Sequence, residues 1–377
     1  MTPEIGGERD VLGEEPENRL AVIARNVTIT VVRTPAIVIG AGQAGIAAAL
    51  ALQDEGFRPL VLESGTDTAG SWPHYYDSLR LFTPAGLDGL PGRPFPGAQH
   101  RYPTRDEMAD YLRECAADIV GEVYVGQQVT LVDRAGDGYR VHTRAGADFT
   151  APVVVSATGG FANPYRPRIP ALAGYTGELL HAGHYRAPNR FAGRRVVVVG
   201  SGNSAVQIAV ELAGVADVIL ACRTPLRYAT TEPIPGDSRF WRVLSWAARL
   251  PVGRFFHSDT IPVVDTGGYR AAIDRGHPEV RPLFDSSAGT TLRWTDGHAD
   301  RVDSVILATG YRPALEHLRE LCPVGDSGYP RHRSGLSTTH PGLAFLGLEY
   351  QRTILSGTVH GVGRDSRCLA RRLARYR

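Results

Sequence analysis

The stretch Ala36-Ile37-Val38-Ile39-Gly40-Ala41-Gly42-Gln43-Ala44-Gly45 decides the fold. Its first four residues are apolar on both faces, as a central parallel strand requires. The next six spell G-x-G-x-x-G, and the alanine-rich run from Ile46 to about Glu55 predicts a helix. Gly56 closes that helix, and Pro59-Leu60-Val61-Leu62 predicts a second strand ending at Glu63. Gly40 permits the tight turn, Gly42 lets backbone approach a pyrophosphate, and Gly45 lets the helix pack close to the strand. The free N–H groups of the helix start attract an anion, and Glu63 is placed to hold an adenosine ribose.

The arrangement recurs. Arg195-Val196-Val197-Val198-Val199 predicts a strand and leads into Gly200-Ser201-Gly202-Asn203-Ser204-Ala205, with alanine at the third glycine position. A helix follows from Val206 to Leu212, Asn203 and Ser204 are expected to cap it, and Asp217–Ala221 is the next strand. Arg223 stands 23 positions after Gly200, the same distance that separates Glu63 from Gly40. A bare ribose hydroxyl needs no cation, whereas a 2′-phosphate does. The first unit therefore suits FAD and the second suits NADP, with Thr224 sharing the phosphate. Two apolar strands each end in alanine-threonine-glycine, at Ala157-Thr158-Gly159 and Ala308-Thr309-Gly310. Both are placed where the chain crosses between nucleotide domains, and their small residues permit close backbone approach.

Composition removes whole classes of chemistry. The 377 residues carry 41 basic and 39 acidic side chains, net +2, so nothing in the balance calls for nucleic acid or an anionic membrane. Every basic residue is arginine. Without lysine there is no Walker-A amine, no pyridoxal Schiff base and no kinase-type lysine. Cys115, Cys222, Cys322 and Cys368 form no C-x-x-C pair and no zinc spacing, and they read as free thiols. No stretch of 18 apolar residues is present, and the expected location is cytoplasmic.

The glycine turns, together with Gly70-Ser71-Trp72, Tyr102-Pro103-Thr104-Arg105 and Ala308-Thr309-Gly310-Tyr311, resemble the class B flavin-dependent monooxygenases over roughly residues 36 to 370. That group spans flavin-containing, YUCCA-like and Baeyer–Villiger monooxygenases. Its identifying motif, F-x-G-x-x-x-H-x-x-x-(F/Y), is matched by Tyr175-Thr176-Gly177-Glu178-Leu179-Leu180-His181-Ala182-Gly183-His184-Tyr185, with Tyr175 and Ala182 as departures. The resemblance implies an α/β protein of two Rossmann-like domains, the NADP domain inserted into the FAD domain. It also implies that NADPH reduces the flavin, and that a C(4a)-peroxyflavin passes one oxygen atom of O2 to a small organic nitrogen, sulfur or ketone substrate. An NADPH oxidase or dehydrogenase, or a flavin-binding regulatory protein without turnover, are the alternatives.

The cofactor residues expected on this reading are Gly40, Gly42, Gln43, Ala44, Gly45, Glu63 and Ser64 at the first turn. Ser71, Trp72, Leu81 and Thr83 are expected by the flavin, Val129 by the adenine, and Ala157, Thr158 and Gly159 at the crossing. The second set is Gly200, Ser201, Gly202, Asn203, Ser204, Ala205, Arg223 and Thr224, with Ala308, Thr309, Gly310, Tyr311 and Arg312. Trp72, Arg80, His181 and His360 are the candidates for the reaction itself, and no metal is expected. Thr104-Arg105-Asp106-Glu107 reads as a capping box, and Val123–Val132, Tyr139–Thr143 and Asp148–Val155 as strands of a small hairpin layer. Residues 1–33 are expected as an N-terminal extension, acidic over the first 18 and β-branched over Ala21–Val32, a run suited to pair or pack; 34–165 with 300–377 are expected as the FAD domain, and 166–299 as the NADP domain, elaborated as a lid over 225–285. A homodimer is the candidate assembly.

Overall fold

Strands buried on both faces must sit in the middle of layers, and five runs behave this way without exception: Ala36–Ile39, Pro59–Leu62, Val153–Ser156, Ser304–Leu307 and Leu343–Phe345 are buried at every residue. In the computed structural model, which describes residues 31–255, 262–322, 324 and 328–377, they organise two separate parallel sheets. The first runs 332–333, 336–337, 343–345, 153–156, 36–39, 59–62, 122–124, parallel from 343–345 onward. The second runs 279–282, 217–222, 195–199, 304–307, 178–181 and is parallel throughout.

The sheets repeat one plan. In each, the strand entering the glycine turn is flanked on one side by the strand ending in Glu63 or Arg223. On the other side lies the strand ending in alanine-threonine-glycine. Six α-helices are described: α1 (Gln43–Asp54), α2 (Arg105–Ala117), α3 (Asn203–Leu212), α4 (Arg239–Ala247), α5 (Tyr269–Asp274) and α6 (Val359–Leu373). Because side chains alternate along a strand, Val38, Val61 and Val155 pack under α1 and α6, while Ile37, Ile39 and Val154 meet Tyr139, Val141 and Phe149. In the second sheet, Val196, Val198 and Ile306 pack on α3, and Val197, Val199 and Val305 meet Leu292 and Trp294. Truncating any of these buried aliphatics to alanine is expected to cost ~2–5 kcal/mol.

Several expectations need correction. Both fingerprint helices begin three residues earlier than the apolar pattern suggests, at Gln43 and Asn203, because the turn residues themselves adopt helical geometry. The hairpin layer is smaller than expected. Glu122–Tyr124 is the edge of the first parallel sheet, and Asp148–Val155 is two strands. The break is at Pro152, which has no N–H for a ladder. The remaining hairpin strands join Val31–Arg33 in a four-stranded sheet, so the last residues counted with the extension are structural. Residues 1–30, including the acidic run, lie outside the described residues.

The boundary at 300 cuts the second sheet, since Ser304–Leu307 pairs with both 195–199 and 178–181. The lid-like stretch also contains sheet: Glu279–Pro282 pairs in parallel with 217–222. Residues 229–234 are tied to 263–265, where the Val263 and Asp265 carbonyls accept from Ala229 and Ile234 N–H. The carboxylate of Asp265 gathers the N–H groups of Gly267, Gly268, Tyr269 and Arg270 at the start of α5. The capping box forms as expected: Glu107 N–H donates to Thr104 Oγ1, and the Glu107 carboxylate accepts from Thr104 N–H at 2.8 Å.

Candidate functional site: two glycine turns and the junction between them

A methyl group built on Gly45 would fall 1.7 Å from the Gly40 carbonyl oxygen, and one on Gly40 would fall 2.7 Å from that of Ala157. Those contacts make both glycines obligatory. On Gly200 a methyl would fall 2.4 Å from the Ala308 carbonyl. The small residues of the two alanine-threonine-glycine ends thus cover the first glycine of each turn. At the third position the second unit tolerates Ala205, whose Cβ lies 3.0 Å from where a Gly200 Cβ would be.

The starts of α1 and α3 differ from the other long helix starts. Thr104, Ser238 and Thr358 cap α2, α4 and α6 with side-chain oxygens. α1 and α3 have Gly42 and Gly202 at the N-cap, with no side-chain cap and no acid in the first turn. Asn203 does not cap α3, contrary to expectation. It is the first helical residue, and its Oδ1 accepts from Val264 N–H at 2.8 Å, tying the 263–265 segment to the turn. Uncapped first-turn N–H groups are the anion-binding feature of such helices. A Cβ on Gly202 would meet nothing within 4 Å, so the backbone there is open to a close ligand.

At the end of its strand, Glu63 is buried. Its carboxylate accepts from Ala41 N–H (2.6 Å), Gly65 N–H (2.7 Å) and the Ser64 hydroxyl (3.1 Å). This grip fixes the carboxylate beside the first glycine turn and leaves acceptor capacity for a ribose hydroxyl. Gln127 N–H donates to the Glu63 carbonyl, which brings the start of the Val129 strand to the same end of the sheet. Arg223, at the equivalent place, is exposed and has no hydrogen bond or ion pair among the described residues, and Thr224 is exposed beside it.

On the flavin-side loop, Trp72 Nε1–H donates to Gln43 Oε1 at 2.9 Å, and Gln43 reaches Gly357 just before α6. Gly70, at φ +57°, lies close against Gly42. From Trp72 a run of rings leads onward through Tyr75 (5.7 Å), Phe161 (4.8 Å) and Tyr311 (5.4 Å) to His181 (5.1 Å). Tyr75 and Phe161 are missing from the sequence reading. Their only signal is an aromatic doublet after Trp72-Pro73-His74 and an aromatic directly after Gly159-Gly160.

His181 is fully buried. Its Nδ1 accepts from Gly183 N–H and its Nε2–H donates to the Gly310 carbonyl, each at 3.1 Å, and burial pulls its pKa down to about 4. It is therefore a neutral fastener between the 178–181 strand and the crossing. The two crossings also hold each other: Tyr165 N–H donates to Gly310 O, Arg312 N–H to Asn163 O, Thr158 Oγ1–H to Ala314 O and Thr309 Oγ1–H to Tyr165 O. Arg312 stacks over Tyr165 at 4.3 Å. Tyr185, closing the motif, is buried with its hydroxyl on Glu211 of α3.

Other expected residues are less available. Leu81 and Thr83 are buried, and the Thr83 hydroxyl donates to Asp88 at 2.5 Å. His360 Nδ1 hydrogen-bonds the Leu87 carbonyl from the first turn of α6, while its buried Nε2 has no partner. Arg80 lies apart from these, in a cleft of about 490 Å3 shared with Arg101, Tyr102, Thr104, Thr266 and Tyr269. Tyr102 there meets Trp241 of α4 edge-on. All four cysteines are free, and among the described residues no His, Cys, Asp or Glu cluster suits a metal.

Comparison with known proteins shows the family. The pyridine nucleotide-disulphide oxidoreductase family model matches residues 37–233. The uncharacterized oxidoreductase CzcO-like of Geobacillus kaustophilus is 31% identical, with 88% of this chain and 96% of that protein covered. The rice indole-3-pyruvate monooxygenase YUCCA1 is 30% identical over 74% of this chain and 76% of its own. A flavin-containing monooxygenase from Stenotrophomonas maltophilia superimposes with a TM-score of 0.81 at 30% identity, covering 92% of this chain and 99% of that one. The chain belongs to the pyridine nucleotide-disulphide oxidoreductase family and, within it, to the class B flavin-dependent monooxygenases, enzymes that use FAD and NADPH. No C-x-x-C dithiol accompanies that fold here. The uncapped helix starts, the open backbone at Gly202 and the paired Glu63 and Arg223 fit those two cofactors.

Proposed function

We propose that this enzyme consumes NADPH and O2 to place one oxygen atom on a nitrogen, sulfur or ketone centre of a small organic substrate. The observation that carries the reading is the opposition of Glu63 and Arg223 at equivalent strand ends. It gives one chain a ribose-binding carboxylate and a free guanidinium for a 2′-phosphate. The unit on the first sheet is assigned to FAD and the unit on the second to NADP.

In this assignment the N–H groups of Gln43, Ala44 and Gly45 hold the FAD pyrophosphate, Glu63 and Ser64 its ribose, and Val129 its adenine by backbone. Ser71, Trp72 and the Leu81–Thr83 loop border the flavin ring, with Ala157–Gly159 at the crossing. Ser201, Gly202, Asn203 and Ser204 hold the NADP pyrophosphate, Ala205 packs the turn, and Arg223 with Thr224 takes the 2′-phosphate. Ala308–Arg312 and His181 set the angle at which the second unit presents its nicotinamide. Bound flavin supplies hydride acceptance and oxygen activation. The chain supplies placement and exclusion of water. His181, neutral and doubly hydrogen-bonded, holds the junction rather than moving a proton, and Gln43 keeps Trp72 turned toward the first glycine turn. Arg80 lines the neighbouring cleft as a substrate-orienting cation.

The test is a panel of amines, sulfides and ketones with NADPH under isotopically labelled O2. One labelled oxygen atom in a product, with NADPH and O2 consumed in equal amounts, is expected. Release of all the oxygen as hydrogen peroxide with every compound overturns the proposal in favour of an oxidase.

A further inference from the structure

Among the described residues, the most exposed large apolar side chains are Phe255 (66%), Val243 (65%) and Trp246 (63%), all within one short stretch of chain. Two of them belong to α4, whose inner face buries Trp241 and then Ala248. Its outer face carries Arg239, Arg242, Val243 and Trp246, followed in the next turn by Arg249 and Leu250, every one exposed. Spacings of three and four residues put these six on one stripe. Residues 238–255 contain four arginines and no acid.

The positive field continues beyond α4. Arg249 lies near Arg364 of α6, where Arg352 and Arg367 also crowd; burial first, and then these guanidinium neighbours, hold the Arg364 pKa below its usual value. Asp365 pairs with Arg352, while Arg249, Arg364 and Arg367 have no carboxylate partner among the described residues. What covers this face must therefore be both apolar and anionic. A second copy docked about a two-fold axis would set the same arginines against each other. In the first 30 residues the two properties are separated: 1–18 hold six acids to one arginine with only Met1, Ile5, Val11 and Leu12 as large apolar side chains, while the apolar run from Leu20 has no acid and carries Arg19 and Arg25 beside it. An anionic lipid surface answers both: its headgroups suit the arginines, and its interfacial zone suits tryptophan with aliphatics.

We infer that the outer face of α4 is a membrane-surface anchor, seating the enzyme on anionic bilayers through Val243, Trp246 and Leu250 flanked by Arg239, Arg242 and Arg249. It lies on the surface and does not span, since no described helix is long and apolar enough to cross. The anchor abuts the cleft: Trp241, on its inner side, packs against Tyr102, which lines the cleft with Arg80. Resting on the proposed function, this placement favours substrates that partition into membranes.

The experiment is flotation of the full-length holoenzyme with vesicles of phosphatidylcholine alone or mixed equally with phosphatidylglycerol, alongside sedimentation velocity. Binding to the anionic vesicles only is expected, weakened about fivefold for each of Arg242→Gln and Arg249→Gln. The double variant Val243→Ser, Trp246→Ser is expected to lose it, with NADPH oxidation in solution unchanged. Binding is read without turnover, so a failed substrate assignment does not touch it. The inference is overturned by any of three results. The first is absence of flotation, or flotation indifferent to these substitutions. The second is a dimer that dissociates in the double variant. The third is binding that emerges only at high salt, which would mark the acidic N-terminal segment as the occupant.

Discussion

His181 Nε2–H donates to the Gly310 carbonyl at 3.1 Å, joining the edge strand of the second sheet to the crossing that leaves the same sheet. With Nδ1 already accepting from Gly183, both ring nitrogens are used and the ring is neutral. His181→Ala would empty a fully buried ring site, strip Gly183 N–H of its acceptor and leave the Gly310 carbonyl with Tyr165 N–H alone, so a loss of ~2–4 kcal/mol is expected in chemical unfolding. Because the folded pKa is depressed to about 4, the histidine's contribution is complete above the unfolded value of about 6.5 and is lost as pH falls toward 4. Melting temperatures of the wild type and His181→Gln are expected to converge as pH drops through that window. A kcat/KM profile that titrated with His181 near neutrality would contradict the assignment.

Gly45 and Ala205 occupy the same slot in two turns and should respond oppositely to exchange. Gly45→Ala sets a methyl inside van der Waals contact of the Gly40 carbonyl, and the chain is expected to lose at least ~3 kcal/mol and its FAD. Ala205→Gly is expected to cost about 1 kcal/mol of helix stability and leave the flavin absorbance per protein unchanged. Unfolding curves and the visible spectrum of the purified proteins check both.

Arg223→Ala is expected to raise the KM for NADPH by roughly 10- to 100-fold, from a lost charge-assisted pair of ~1.5–3 kcal/mol. The KM for NADH should barely move. Equal losses for both nucleotides would remove the 2′-phosphate from this residue.

Asp88 is fully buried, with one carboxyl oxygen on the Thr83 hydroxyl and the other without a partner, and burial pushes its pKa up to about 8. The folded state thus holds a proton that the unfolded chain releases above about pH 4. Its contribution is present at acid pH and is lost as pH rises toward 8. Asp88→Asn keeps the shape and removes the titration. Between about pH 5 and 8 the wild-type melting temperature should fall by several degrees more than that of the variant. Parallel curves would show Asp88 to be charged in the fold.

The first glycine turn, with its strand, helix and terminal acid, was legible because each part is local: four apolar residues, three glycines and one acid at set spacing. The same held for the second turn and for the capping box at Thr104. The misplaced boundary at 300 had a different origin. Nothing in Ser304-Val305-Ile306-Leu307 itself says which sheet it joins, since two such strands end in alanine-threonine-glycine and both are fully apolar. The hairpin layer was overextended for a similar reason, because the switch of sheet at Pro152 depends on partners more than 100 residues away. Tyr75, Phe161 and Asp88 went unseen because their roles arise only from what they touch.

The amino-acid order alone determined that the chain carries two nucleotide turns of opposite charge, since backbone conformation and helix N-terminal N–H groups are set within a few residues. Tertiary structure alone decided how those turns are joined. His181 meets Gly310, Tyr165 meets Thr309, and Trp72 meets Gln43 because pairings between distant strands converge there, and no local spacing encodes them.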